Sequence, residues 1–81
     1  MDASRGLRIA QLNMTCEACP SQWSAITEDG REVYVRYRWG YLTVELDGPL
    51  GELVYENQHG DEWDGVMDTT TMLRHTGMVR S

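Results

Sequence analysis

The chain contains no lysine: all seven of its basic residues are arginine, set against 13 acidic residues in 81 positions. The net charge of −6 leaves no basic footprint for neutralising a run of phosphates, so a binder of long nucleic acid is not expected. No apolar run approaches the roughly 20 residues that cross a bilayer, and no membrane partner is expected. The first eight residues are polar, with Arg5 and Arg8 but without the apolar stretch of a signal peptide. The expectation is therefore a soluble, cytoplasmic protein, in which the sequon Asn13-Met14-Thr15 is a coincidence. Low-complexity tracts are also missing. With 41% hydrophobic residues, one small domain is expected over residues 7–81, behind a flexible leader at 1–6.

Catalytic signatures are missing as well. There is no P-loop, no glycine-rich phosphate cradle, no metalloprotease motif and no nucleophile beside an evident base. An enzyme is not expected, and neither is a cofactor. Cysteine is scarce, with two residues in all, and both fall in Cys16-Glu17-Ala18-Cys19-Pro20. That spacing is half of a zinc site, but no second pair follows, and His59 and His75 are distant in sequence. Nor does a βαβ context surround it, as a thioredoxin-like redox pair requires. The reading preferred here is two semi-buried thiols in a connecting loop, no metal being bound. Zinc or redox chemistry is the alternative.

What is present is organised around residues 22–47, which read as two β-hairpins in series. Asp29-Gly30 suits a two-residue type I′ turn, whose central residues both need positive φ. That turn sets Ile26 against Val33, Ser24 against Val35 and Trp23 against Arg36. A second two-residue turn at Trp39-Gly40 sets Tyr37 against Leu42, Val35 against Val44 and Val33 against Leu46. In this register Ile26, Val33, Val35, Tyr37, Leu42, Val44 and Leu46 share one face. Trp23, Tyr34, Arg36, Arg38, Tyr41 and Thr43 share the other.

Around this meander the remaining elements are weaker. Residues 7–14 read as a further strand on the meander edge, with a short helix as the alternative. Asp47-Gly48-Pro49-Leu50-Gly51 is a turn cluster. Residues 52–57 suit a fourth strand with Leu53 and Tyr55 inward, or else a single helical turn. Residues 59–65 form an acidic loop that does not fit the calcium-loop pattern. Residues 69–76 are the one convincing helix. Asp68 suits its N-cap, Met67 and Met72 a hydrophobic staple, Arg74 and His75 its last turn, and Gly77 a left-handed C-cap. The expected fold is α+β and mainly β: an antiparallel meander of three to four strands, with this short helix covering the apolar face.

Several of these motifs carry a resemblance. Cys19-Pro20-Ser21-Gln22-Trp23, the run from Asp29-Gly30-Arg31 through Tyr34-Val35-Arg36-Tyr37-Arg38-Trp39-Gly40-Tyr41-Leu42, and the later Gly60-Asp61 and Asp64-Gly65-Val66 resemble a group of small bacteriophage proteins, especially of actinobacteriophages. The resemblance implies a phage setting and no site residues. All-arginine basic content suits a GC-rich genome, and it equally suits a need for planar guanidinium groups that stack and fork onto anions.

Function is expected on the aromatic and arginine-bearing face. Trp23 opposite Arg36 suggests a cation–π pair, Tyr34 lies beside Glu45, and Tyr41 lies opposite Arg38. Aromatics stack on bases and guanidinium groups grip phosphate. Trp23, Tyr34, Arg36, Arg38 and Tyr41 are therefore the candidate ligand-binding residues, for a small nucleotide-like anion. The plain alternative is that the face is buried within the chain or in a homo-oligomer, and self-association is expected in any case. In a phage setting the expected role is non-catalytic sequestration of a host immune signal as counter-defence. The alternative role is an interaction module that inhibits or redirects a host protein.

Overall fold

The computed structural model describes residues 3–17, 20–48 and 51–80. Six strands and one helix are present among them: β1 (Arg8–Cys16), β2 (Ser21–Thr27), β3 (Glu32–Arg38), β4 (Tyr41–Leu46), β5 (Glu52–Gln58), α1 (Thr69–Thr76) and β6 (Val79–Arg80). The strands form a single sheet in the order β5-β4-β3-β2-β1-β6. Five strands run antiparallel in sequence, and β6 joins the far edge parallel to β1 through Arg8–Val79 and Ile9–Arg80. The mainly-β reading with one short helix holds. The three- to four-stranded meander was too small and lacked the parallel edge.

The hairpin of β3 and β4 has the expected register, pairing Val33 with Leu46, Val35 with Val44 and Tyr37 with Leu42. Its turn is the two-residue type I′ form, with Trp39 at φ 55 and Gly40 at φ 71. The hairpin of β2 and β3 differs by one residue: Trp23 pairs with Val35 and Ala25 with Val33. Its loop has three residues, not two. Asp29 does not take the left-handed conformation and Gly30 alone does, at φ 87. The N–H of Gly30 donates to Thr27 O at 3.0 Å, and the N–H of Thr27 donates to Arg31 O at 2.9 Å. Thr27 also settles the loop with its side chain, its Oγ1 accepting from Arg31 N at 2.9 Å and donating to Asp29 Oδ1.

A one-residue slip sends every side chain of a strand to the opposite face. Trp23 accordingly lies in the core with no exposed surface, while Ile26 turns outward and is half-buried. The indole also finds a polar partner, its Nε1 donating to Thr69 Oγ1 at the start of α1 at 2.9 Å. Burying the larger ring removes more apolar surface from water than burying Ile26 would.

The core is one cluster on that face. Trp23, Ala25, Val33, Val35, Tyr37, Leu42, Val44, Val54, Tyr55 and Ile9 from the sheet meet Met67, Met72 and Met78 from the last third of the chain. A bulge beside Val44–Tyr55 lets β5 bury both Val54 and Tyr55 and leaves Leu53 half-buried, in place of the expected Leu53 and Tyr55 pair. Helix α1 has the expected bounds and caps: Asp68 accepts from Thr71 N at 2.7 Å, and Gly77, at φ 76, donates to Leu73 O at 2.9 Å. Residues 3–6, expected in the leader, form a turn against the helix end. Ser4 is buried there, with its Oγ donating to Thr76 O at 2.7 Å, and Gly6 N donates to Gly77 O at 2.8 Å. Cys16 is exposed at the end of β1, and Cys19 lies outside the described residues. Among the described residues no helix is long and apolar enough to cross a membrane.

Candidate functional site

Strand alternation sorts the outer face of the sheet into cross-strand rows. One row runs Gln22, Arg36, Thr43, Glu56; the next runs Arg38, Tyr41, Gln58. Between them lies an open groove of about 330 Å³, lined by Arg36, Arg38, Trp39, Tyr41, Thr43 and Gln58. Three of the five expected site residues, Arg36, Arg38 and Tyr41, therefore meet in one depression. Tyr34 shares the face one row away, beside Ser24 and Glu45, and does not line the groove. Trp23 is not on this face at all, because of the three-residue loop, so its pairing with Arg36 does not exist.

Trp39 takes the place that Trp23 was expected to fill. The guanidinium carbon of Arg38 stands 4.1 Å from the centre of the Trp39 ring, a cation–π contact worth about 0.5–1 kcal/mol where exposed. The indole remains 62% exposed. Neither Arg36 nor Arg38 has an ion-pair partner among the described residues, whereas Arg8 pairs with Glu28 and Arg31 grips Asp47 through two nitrogens at 2.7 and 3.2 Å. That grip holds the Asp47 carboxyl below the usual carboxylate range. Glu56, next to Thr43 in the cross-strand row, accepts from the Tyr41 hydroxyl, and this bond raises the Tyr41 pKa.

The turn bearing Trp39 is bound firmly to the acidic loop behind it. Gly40 N donates to Asp64 O at 2.6 Å, and Gly40 O accepts from His59 N at 2.8 Å and from Gly60 N at 3.1 Å. Gln58 Nε2 reaches Trp39 O at 3.1 Å. The approach is so close that a Cβ on Gly40 would lie 2.3 Å from Gly60 O. Position 40 therefore requires glycine for space as well as for its positive φ.

On the core side of that loop lies a second cluster. Tyr37 donates to Asp64 Oδ2 at 2.7 Å; its burial, with this carboxylate beside it, raises the Tyr37 pKa to about 12. The Tyr55 hydroxyl and His59 Nε2 are 2.5 Å apart, and the rings of His59 and His75 stack with centroids 3.9 Å apart. Burial, then the charge of His75, lower the His59 pKa. Of these, Tyr37, His59, Asp64 and His75 border an open hollow of about 420 Å³, together with residues 66–68 and Thr71. Near neutral pH the Tyr37 phenol therefore stays protonated and continues to donate to Asp64. Among the described residues, no three His, Cys, Asp or Glu side chains converge to hold a metal ion.

Sequence reasoning missed Trp39 and Gln58 as groove residues. One signal was readable: a tryptophan occupies the turn position where asparagine or aspartate is usual. The chain matches no family model, no curated protein and no solved structure.

Proposed function

We propose that the outer groove binds an anionic, aromatic small molecule of the nucleotide class and performs no chemistry on it. The observation that carries this reading is the pair Arg36 and Arg38. They lie on one strand face without ion-pair partners among the described residues, and they are framed by Trp39 and Tyr41. A guanidinium group stacked on an indole keeps its edge N–H groups available for phosphate, and the exposed ring offers a stacking surface for a base. An acidic protein with one local basic depression suits a small ligand, since a long polyanion would meet repulsion elsewhere. If the chain is a phage product, as its resemblance suggests, holding a host signalling nucleotide in stoichiometric complex is the natural use of such a groove.

Calorimetry against cyclic and linear nucleotides tests the reading. Arg36→Ala should weaken binding by about 1.5–3 kcal/mol, the usual worth of a hydrogen bond to a charged group. Arg36→Lys should recover only part of that loss, because the planar fork is gone. If no nucleotide binds below the millimolar range, or if Arg36→Ala binds as well as the parent, the reading fails.

A second reading rests on a different observation. Trp63 is 85% exposed and Val66 59% exposed on the acidic loop, and exposed apolar groups of this kind favour a protein partner, whether a host protein or a second copy of the chain. It predicts a stable complex by light scattering or pull-down and no nucleotide binding.

A further inference from the structure

The turn at Trp39-Gly40 separates two depressions. One is the arginine groove. The other, of about 300 Å³, is bordered by Arg38, Trp39, Glu62, Trp63, Asp64 and Gly65. Arg38 and Trp39 belong to both, so the Arg38–Trp39 stack is the wall that the two share. Beyond that shared pair their linings differ. The first adds Arg36 and Tyr41, and the second adds Trp63 with the acidic residues Glu62 and Asp64.

The two carboxylates are not equivalent. Asp64 is committed to the fold, accepting from Tyr37 on one oxygen at 2.7 Å and from Val66 N on the other at 3.4 Å. Glu62 has no hydrogen bond or ion pair among the described residues and stands exposed at the cleft. The walls, by contrast, are fixed. Asp61 Oδ1 accepts from Trp63 N at 3.0 Å and Asp61 O accepts from Asp64 N at 3.1 Å, while Asp64 O holds Gly40. A cleft held in this way loses little freedom when a ligand enters.

Resting on the reading of the arginine groove as the seat of a nucleotide's anionic end, we propose that the adjoining cleft takes the base, and that Glu62 makes it selective for guanine. Indoles stack on every base, so Trp39 and Trp63 supply affinity without choice. Choice comes from the carboxylate, which when ionised can only accept. Guanine offers it two adjacent donors, N1–H and the N2 amino group. Adenine and cytosine each offer one amino donor next to a bare ring nitrogen, and uracil offers one N–H between two carbonyl oxygens. In those three bases an acceptor faces Glu62 and repels it, and a site built around a hydrogen bond rejects ligands that leave it unmade.

Calorimetry with GMP, IMP, AMP and UMP separates this proposal from the one beneath it. GMP should bind about tenfold more tightly than AMP, the lower range for a hydrogen bond to a charged group. IMP, which keeps N1–H but lacks the N2 amino group, should fall between them. Glu62→Gln should reduce GMP to the level of AMP and leave AMP unchanged. Trp63→Ala should weaken every nucleotide alike. Both side chains are exposed, so both variants should fold. Equal binding of GMP and AMP, lost together in Arg36→Ala, overturns the guanine cleft and leaves the arginine groove standing. A preference for GMP that survives in Glu62→Gln also overturns it. Failure of all four to bind overturns the guanine cleft, and the arginine groove falls with it when the cyclic nucleotides fail as well.

Discussion

The two turns that fold β2 onto β3 and β3 onto β4 each end on a left-handed glycine, yet they are built on different principles. The first satisfies itself. Thr27 serves both Asp29 and the backbone of Arg31, only Gly30 leaves the common backbone regions, and nothing lies within 4 Å of where its Cβ would be. The second depends on its surroundings. Trp39 is forced to φ 55 and Gly40 is pressed against the acidic loop, which holds Gly40 through three hydrogen bonds while Gln58 of β5 adds a fourth at Trp39. A bulky residue in the left-handed region costs about 1–2 kcal/mol, and such strain persists only where neighbours over-determine it. Here the strained residue is also an exposed aromatic at the mouth of both clefts. The self-sufficient turn sets register, and the dependent turn displays chemistry.

The largest effect that would break this contrast is at Trp23, whose place in the core follows from the first turn's three-residue loop. Trp23→Ala should cost about 3–5 kcal/mol, most of the stability expected of a chain this small, and chemical denaturation measures it. A loss below about 1 kcal/mol would mean that the ring is outside and the loop has two residues. Next comes the pair of glycines. Gly40→Ala should cost about 3 kcal/mol, because the new methyl meets backbone oxygens in addition to the strain of positive φ. Gly30→Ala should cost about 1 kcal/mol for strain alone. Equal melting temperatures for the two variants would abolish the distinction. The smallest effect is at Trp39. Trp39→Asn relieves the left-handed strain and loses a cation–π contact of about 0.5–1 kcal/mol, so stability should hold or rise by less than about 1 kcal/mol. Nucleotide affinity should fall at the same time. Such a split would sharpen the division between a turn that holds the fold and one that serves a ligand.

The sequence carried the β3–β4 hairpin and α1 because their signals are local. Val33, Val35 and Tyr37 alternate in phase with Leu42, Val44 and Leu46, and Asp68 and Gly77 mark the helix ends. Strand β2 could not be read in this way. Trp23 and Ile26 are three residues apart and so have opposite parity: every register buries one and exposes the other, and the outcome rests on Thr27 and on ring size. Tyr34 and the two arginines were placed on the correct face because they belong to β3. The groove's full lining was not legible, since it depends on β5 bringing Gln58 beside Tyr41 and on the loop that holds Trp39 in place. Strand β6, two residues long, has too little sequence to carry a pattern.

The ties at the end of α1 have a consequence for the order of assembly. Ser4 and Thr76 are 72 positions apart, and Val79 N donates to Leu7 O at 2.8 Å. Closing so long a loop is entropically expensive until much of the sheet already stands. An eight-residue helix cannot hold itself together in water. The hairpins of β2, β3 and β4 join neighbours in sequence and form without that delay. Helix and β6 are therefore last to arrive and first to leave. A partial opening would expose Met72 and take Thr71 and His75 away from the hollow they border, while the strands that carry Arg36, Arg38 and Tyr41 stayed paired.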